Sequence, residues 1–147
     1  MEPFATLKNR LAGIPFFVEF TIQEMEHVYH NGFFKVVQPG EFIIREGGVD
    51  RTLFVLVSGE VKVTKQNDPE GRLATLHPGD IFGEIAFVAR QVRTTNVIAL
   101  VKSIVFQLEE KHFSLLPPEL KVKIQHQAVR LLMNRLEALK QTIGGQA

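Results

Sequence analysis

No cysteine occurs anywhere in the 147 residues. That absence excludes disulfides, cysteine-ligated zinc and iron–sulfur centres, and it suits a reducing compartment. An excess of either charge is lacking too. Lys and Arg number 17 against 16 Asp and Glu, a formal net charge of +1, so no strong global field draws the chain to nucleic acid or anionic lipid. No apolar run approaches the roughly 18 residues of a membrane span. The start, Met1-Glu2-Pro3-Phe4, shows neither the basic nor the apolar segment of a secretory signal. These absences lead to the expectation of a cytoplasmic chain with no membrane span. A His-x-His pattern is also missing. His27 and His30 lie near each other on a predicted helix, but no third ligand is indicated, and His77, His112 and His126 are scattered. The histidines are therefore read as structural or surface residues, with no metal expected.

What is present suits a soluble domain. The hydrophobic share is 45% and the charged share 22%, both ordinary for a globular chain long enough to bury a core. Residues 1–147 are expected to form one domain, with N-terminal helices in 1–32, a β-roll in 33–109 and C-terminal helices in 110–143. Phe4, Leu7 and Leu11 share one face of a short helix within residues 3–12, which Gly13 and Pro15 end. Ile14, Phe16, Phe17 and Phe20 are placed to seal one end of the core. Thr21-Ile22-Gln23-Glu24 has capping-box spacing and predicts a second helix. Met25, Val28 and Tyr29 should face inward from it, and Asn31-Gly32 should stop it.

After Gly32 the helical period gives way to alternation. Phe34, Val36 and Gln38 form one series. Phe42 and Ile44 follow, then the apolar run from Leu53 to Val57, then Val61 and Val63 between Lys62 and Thr64. Asn67-Asp68-Pro69-Glu70-Gly71 has the composition of a hairpin loop. Three turns, Pro39-Gly40-Glu41, Ser58-Gly59-Glu60 and Pro78-Gly79-Asp80, recur at intervals of about twenty residues. Short strands with regular turns predict an antiparallel sandwich or double-stranded β-roll. The last strands are expected over Thr94 to Val101 and Ile104 to Leu108, with helical material from Glu109-Glu110 to Leu116. Pro117-Pro118-Glu119 then opens a long helix over residues 119–143, ended by Gly144-Gly145. That helix carries two apolar stripes: Leu120, Ile124, Ala128 and Leu131, and Leu132, Leu136, Leu139 and Ile143. One face suffices to pack on its own domain. The second fits a partner helix in a homodimer, unless the two merge into one broad core face.

The chemistry concentrates between Asp80 and Val97. A helix start presents backbone N–H groups to phosphate, and Gly83 lets the backbone approach a ligand closely. Glu84 offers a hydrogen-bond acceptor, and Arg93 a planar fork of donors for phosphate oxygens. Phe82-Gly83-Glu84-Ile85-Ala86, then Arg93-Thr94-Thr95 after a short loop, resembles the phosphate-binding cassette of cyclic nucleotide-binding domains. That family includes the catabolite activator protein, the regulatory subunits of cyclic-nucleotide-dependent kinases and the cytoplasmic domains of cyclic-nucleotide-gated channels. It often has proline just before the arginine, where this chain has Val92.

The resemblance implies a mainly β fold, an antiparallel double-stranded β-roll of jelly-roll type with N-terminal helices and a long C-terminal helix. It implies a cassette over residues 79–97 and ligand contacts from Phe82, Gly83, Glu84, Ile85, Ala86, Arg93, Thr94 and Thr95. Glu84 would hold the ribose 2′-hydroxyl and Arg93 the phosphate. The ligand would be cAMP or cGMP, with no other cofactor. A Thr94 hydroxyl is worth roughly 0.5–1.5 kcal/mol and biases nucleotide choice by about tenfold at most. The implied function is sensing without catalysis, in which ligand orders the cassette and draws the C-terminal helix over the base. Arg130, Asn134 and Arg135 are candidates to cap the base. No helix-turn-helix follows residue 143, so DNA binding is not expected. A domain that kept the fold and lost the ligand is the alternative, against which Gly83, Glu84 and Arg93 all speak. A metal-dependent β-roll enzyme stands third.

Overall fold

The Thr21–Glu24 capping box forms as its spacing predicts. Thr21 Oγ1 accepts from the Glu24 N–H at 3.1 Å, and Glu24 Oε1 accepts from the Thr21 N–H at 2.9 Å. In this computed structural model, residues 8–9, 11–65, 67–68, 71–84, 87 and 91–146 are described, residue 139 and those from 141 onward by their backbone alone. A 3-10 turn at Pro15–Phe17 precedes helix α1 at Ile22–Asn31. The strands follow: β1 Phe33–Val37, β2 Phe42–Ile44, β3 Leu53–Ser58, β4 Val61–Thr64, β5 Ala74–Leu76, β6 Ile81–Phe82, β7 Asn96–Ala99 and β8 Ser103–Leu108. A short helix α2, Glu110–Phe113, leads into α3, Pro118–Gln146. The predicted helix over residues 3–12 is seen only at residues 8–9 and 11–12; Phe4 and Leu7 lie outside the described residues.

The strands pair antiparallel in two four-stranded sheets, β1-β8-β3-β6 and β2-β7-β4-β5. This is the expected double-stranded β-roll with helices before it and a long helix after it. The three repeated turns make it possible: Gly40, Gly59 and Gly79 all sit at positive φ, which side chains other than glycine's rarely tolerate. At Gly59 a Cβ would also strike Ser103 Oγ at 2.2 Å.

Two apolar layers explain the unbroken run in β3. Phe54 and Leu56 face the second sheet with Val37, Phe82 and Val105, against Ile44, Val61, Val97 and Ala99. Leu53, Val55 and Val57 face the opposite way, with Ile81, Phe106 and Leu108, into a helical layer of Phe16, Phe17, Phe20, Met25, Val28, Leu120, Ile124 and Ala128. A strand buried on both faces shows no alternation. Tyr29 packs at the edge of the same layer.

In β1 it is Val37 that faces the interior, while Val36 is 51% exposed; β1 is an edge strand whose register on β8 pairs Val37 with Ser103, and side chains one residue apart take opposite faces. Two expectations are corrected. Thr94 and Thr95 precede β7 rather than forming it. The long helix continues through Gly144-Gly145, since glycine costs a helix only about 1 kcal/mol against alanine and weakens it without stopping it. The two apolar stripes of that helix, for which the sequence leaves both readings open, remain separate. Leu120, Ile124 and Ala128 are core, while Leu132 is half-buried and Leu136 is 54% exposed; the side chains of Leu139 and Ile143 lie outside the described residues. In the hairpin loop, Lys65 bridges to Asp68 and Asp68 Oδ1 accepts from the Gly71 N–H at 3.0 Å; Pro69 and Glu70 lie outside the described residues. Among the described residues, no helix is long and apolar enough to cross a membrane.

Candidate functional site

β6 is two residues long and hangs on β3 through Phe54↔Phe82 and Val55↔Ile81, with the Phe54 and Phe82 rings stacked at 5.0 Å. The chain then bends sharply at Gly83, φ +82°. A Cβ there would meet Thr52 O at 2.8 Å and Arg93 Nη1 at 2.9 Å, so both the backbone angle and the space require glycine. Glu84 opens a helical turn in which the Phe87 N–H donates to Gly83 O at 3.2 Å. Phe87 is buried edge-on against Phe113. Ile85 and Ala86, both expected at the site, lie outside the described residues.

Arg93 is 4% exposed. Its backbone is clamped from both sides, the Arg93 N–H donating to Gly48 O and Arg93 O accepting from the Gly47 N–H, each at 2.8 Å. Its guanidinium grips Asp50 with two bonds, Nε to Oδ1 at 3.3 Å and Nη2 to Oδ2 at 2.8 Å. Nη2 also donates to Thr52 O at 2.7 Å, and Nη1 to Gly83 O at 2.9 Å. A buried cation needs such pairing. Among the described residues these bonds leave one Nη1 N–H of the five-donor fork for a further acceptor. Burial raises the Asp50 carboxyl, but the hydrogen bonds and charge of Arg93, aided by Thr52, outweigh it and hold Asp50 below its ordinary 3.8.

Glu84 is likewise 4% exposed. Its Oε1 accepts from Arg135 Nη1, and Arg135 Nη2 donates to Ile81 O. One side chain of α3 thereby ties the long helix to β6 and to the carboxylate beside it. Of the three helix residues proposed to reach the ligand, Arg135 alone lines the pocket described next; Arg130 bonds Glu19 at 3.1 Å.

A cavity of about 470 Å³ opens above these groups. Ile44, Val63, Ala74, Leu76 and Val97 give it an apolar wall from the second sheet, and Phe82, Gly83, Glu84, Val92, Arg93, Thr94, Thr95 and Arg135 complete it. The volume and the few convergent polar groups suit a small organic ligand. Every described residue among those predicted for the cassette, Phe82, Gly83, Glu84, Arg93, Thr94 and Thr95, falls on this one cavity. Sequence reasoning missed Asp50 and the Thr52 carbonyl, which fix Arg93. The one signal was an acid shortly after Gly47-Gly48. It also missed Lys65, whose Nζ donates to Thr94 O at 2.7 Å.

The family model described as "Cyclic nucleotide-binding domain" matches residues 34–116. The chain is 33% identical over 120 residues to the cGMP-dependent protein kinase egl-4 of Caenorhabditis elegans, covering 77% of this chain but 15% of that protein. Among solved structures, a cyclic nucleotide-binding domain from Methylobacillus flagellatus superposes with a TM-score of 0.82 at 20% identity, covering 98% of this chain and 84% of that one. A chain described as "cAMP bound PfPKA-R (141-441)" superposes with a TM-score of 0.74 at 23% identity, covering 97% of this chain and 47% of that one. These superpositions show the shared fold. The chain belongs to the cyclic nucleotide-binding domain family.

Proposed function

Taking membership of that family as the premise, we propose that the chain is a regulatory sensor that binds cAMP or cGMP in the 470 Å³ cavity and catalyses nothing itself. The observation that carries this reading is the convergence of Arg93, Glu84 and an apolar wall on one cavity. A cyclic phosphodiester carries a single negative charge. The unused Arg93 N–H and the backbone N–H groups at the Glu84 turn suffice to bind it. Arg135 occupies Oε1 of Glu84, which leaves Oε2 to accept from the ribose 2′-hydroxyl. The apolar wall takes the base, with Thr94 and Thr95 at its rim. Ile85 and Ala86 are assigned to the phosphate turn by the family pattern.

The closing element is the distal part of α3. Residues 118–131 are anchored, because Leu120, Ile124 and Ala128 are core and polar clamps add to them. Gln127 Nε2 donates to Glu19 Oε2 at 2.8 Å, and Lys123 pairs with Glu24 at 2.7 Å. Beyond them Met133 and Leu136 are exposed, and Arg135 is the tie to the roll. Ligand is proposed to order the 83–95 segment and fix residues 132–146 above the base. The exposed Leu136 side of the same segment is the proposed face for a second copy of the chain.

One observation favours a second reading. Both site charges are already satisfied internally, Arg93 by Asp50 and Glu84 by Arg135, as in a domain that keeps the fold and binds nothing. Calorimetric titration with cAMP and cGMP decides between them. Saturable heat with one ligand per chain is expected. Silence with both nucleotides at millimolar concentration would establish the second reading.

A further inference from the structure

The segment that carries Arg93 and Thr94 has no strand ladder, because pairing of β7 begins only at Asn96. Its position therefore depends on single bonds. Residues 47 and 48 hold the Arg93 peptide groups. The Thr94 carbonyl is held by a side chain: Lys65 Nζ donates to it at 2.7 Å. Lys65 directly follows β4, and its ammonium also lies 3.6 Å from Glu46 Oε1. The Glu46 N–H in turn donates at 2.7 Å to Oδ1 of the buried Asn96. The end of β4, the turn after β2 and the first residue of β7 thus share one polar knot around Thr94. Lys65 itself does not line the cavity, whereas Thr94 does.

We propose that Lys65 is a positioning residue for nucleotide recognition. It fixes the Thr94 peptide and, through it, the Thr94 side chain at the cavity rim, without touching the ligand. This inference rests on the nucleotide-binding reading of the cavity. A peptide plane with no ladder partner is held less firmly than one in a sheet, and a rotation at Thr94 re-aims the side chain beside it. The bond from an ammonium to a carbonyl is charge-assisted and stronger than a neutral one. A second route is open to a lysine near an anion site, simple attraction of the phosphate. Lys65 is half-exposed and paired with Glu46, so that attraction is screened by salt, whereas a positional effect is not.

The test uses the full chain and both nucleotides, with wild type, Lys65→Met, Lys65→Arg, Thr94→Ala and the Lys65→Met/Thr94→Ala pair. Lys65→Met should weaken the preferred nucleotide about three- to tenfold, with the melting temperature nearly unchanged. It should shift the cAMP-to-cGMP affinity ratio in the same direction as Thr94→Ala. Lys65→Arg should restore most of the loss. In the Thr94→Ala background, Lys65→Met should cost little more, and the loss should be similar at about 0.05 M and about 0.5 M salt. A full additive loss in the pair, a loss that disappears at high salt, or wild-type affinity in Lys65→Met would each overturn the inference while leaving the cavity assignment standing. Failure of wild type to bind either nucleotide would overturn both.

Discussion

Arg93 and Glu84 are buried to the same degree, yet their counter-charges belong to different parts of the molecule. Asp50 lies in the loop between β2 and β3, which is held on Arg93 by the two backbone hydrogen bonds at Gly47 and Gly48. The partner of Arg93 is therefore fixed wherever the roll is folded. Arg135 lies on α3, past the last residue that the helix commits to the core. The partner of Glu84 is present only while that helix is docked. A buried carboxylate that loses its cation is costly, so undocking the distal helix is opposed by Glu84, and any ligand that restores hydrogen bonds to Glu84 alters that balance. One charge is paired within the roll and the other across to the helix.

The bluntest way to break the comparison is to remove α3 altogether, and it should fail. Cutting after Pro118 deletes Leu120, Ile124 and Ala128 from the helical layer. Truncating one buried Leu or Ile to Ala costs about 2–5 kcal/mol, against a total stability of about 5–15 kcal/mol for a domain. The shortened chain should lose cooperative unfolding by circular dichroism. A folded, binding-competent roll without the helix would show that the roll owns both partners. Cutting after Leu131 should leave a folded chain.

Arg93→Leu comes next. It strips the roll-owned pair and leaves Thr52 O and Gly83 O without their donor. Stability should fall by about 1–3 kcal/mol by chemical denaturation, and affinity for cAMP or cGMP by roughly ten- to a hundredfold, since the one charged hydrogen bond left for the ligand is worth about 1.5–3 kcal/mol. Loss of binding with unchanged stability would mean that the bonds to Thr52 and Gly83 contribute nothing to the fold.

Much of this was legible in the sequence, and the legible part is local. Thr21 and Glu24 stand three apart on one turn, so their capping box needs no tertiary information. The turns at Gly40, Gly59 and Gly79 declare themselves by composition, and the cassette by its motif. The pairings of charges were not legible. Asp50 and Arg93 are brought together only when the β2–β3 loop packs against the segment before β7, and no spacing rule links them. Arg135 could not be separated from Arg130 and Asn134, because the choice depends on the phase of α3 over Ile81 and Glu84. That Val37 and not Val36 is the inward residue of β1 was not legible for a related reason. A strand pattern gives the period of a face, while its partner strand decides which face is inward.

Arg135→Ala should act on the helix side alone. Glu84 loses its cation, and the distal helix loses its tie to Ile81 O. Affinity should drop about three- to tenfold, less than for Arg93→Leu. The telling measurement is amide hydrogen exchange. Residues 132–146 should lose protection while residues 118–131 and the roll keep theirs, and nucleotide should restore part of it. Lost protection along the whole of α3 would mean that the helix moves as one body and that the clamps at Glu19 and Glu24 do not divide it.

The smallest effect sharpens the roll side, through pH. Asp50 has a depressed carboxyl in the folded chain because Arg93 outweighs the raising effect of burial. A depressed folded value means stability that is present above the unfolded value, about 3.9, and lost as pH falls through the folded value. The contribution is modest, because the Asp50 side chain is 53% exposed and exposed pairs are screened to roughly 0.2–1 kcal/mol. Glu24 is lowered as well, first by its bond to Lys123, and it titrates over a neighbouring range. The useful quantity is therefore the difference between wild type and Asp50→Asn, measured by denaturant titration from neutral pH to about pH 3. That difference should be constant at neutral pH and shrink below about pH 4, where the wild-type carboxyl also becomes neutral. Arg93 keeps its bonds to Thr52 O and Gly83 O throughout, so acid should loosen the Asp50 loop before it releases the arginine. A difference that stays constant down to about pH 3 would show that Asp50 does not gain its stability from Arg93, and the roll-owned partner would then be the two carbonyls alone.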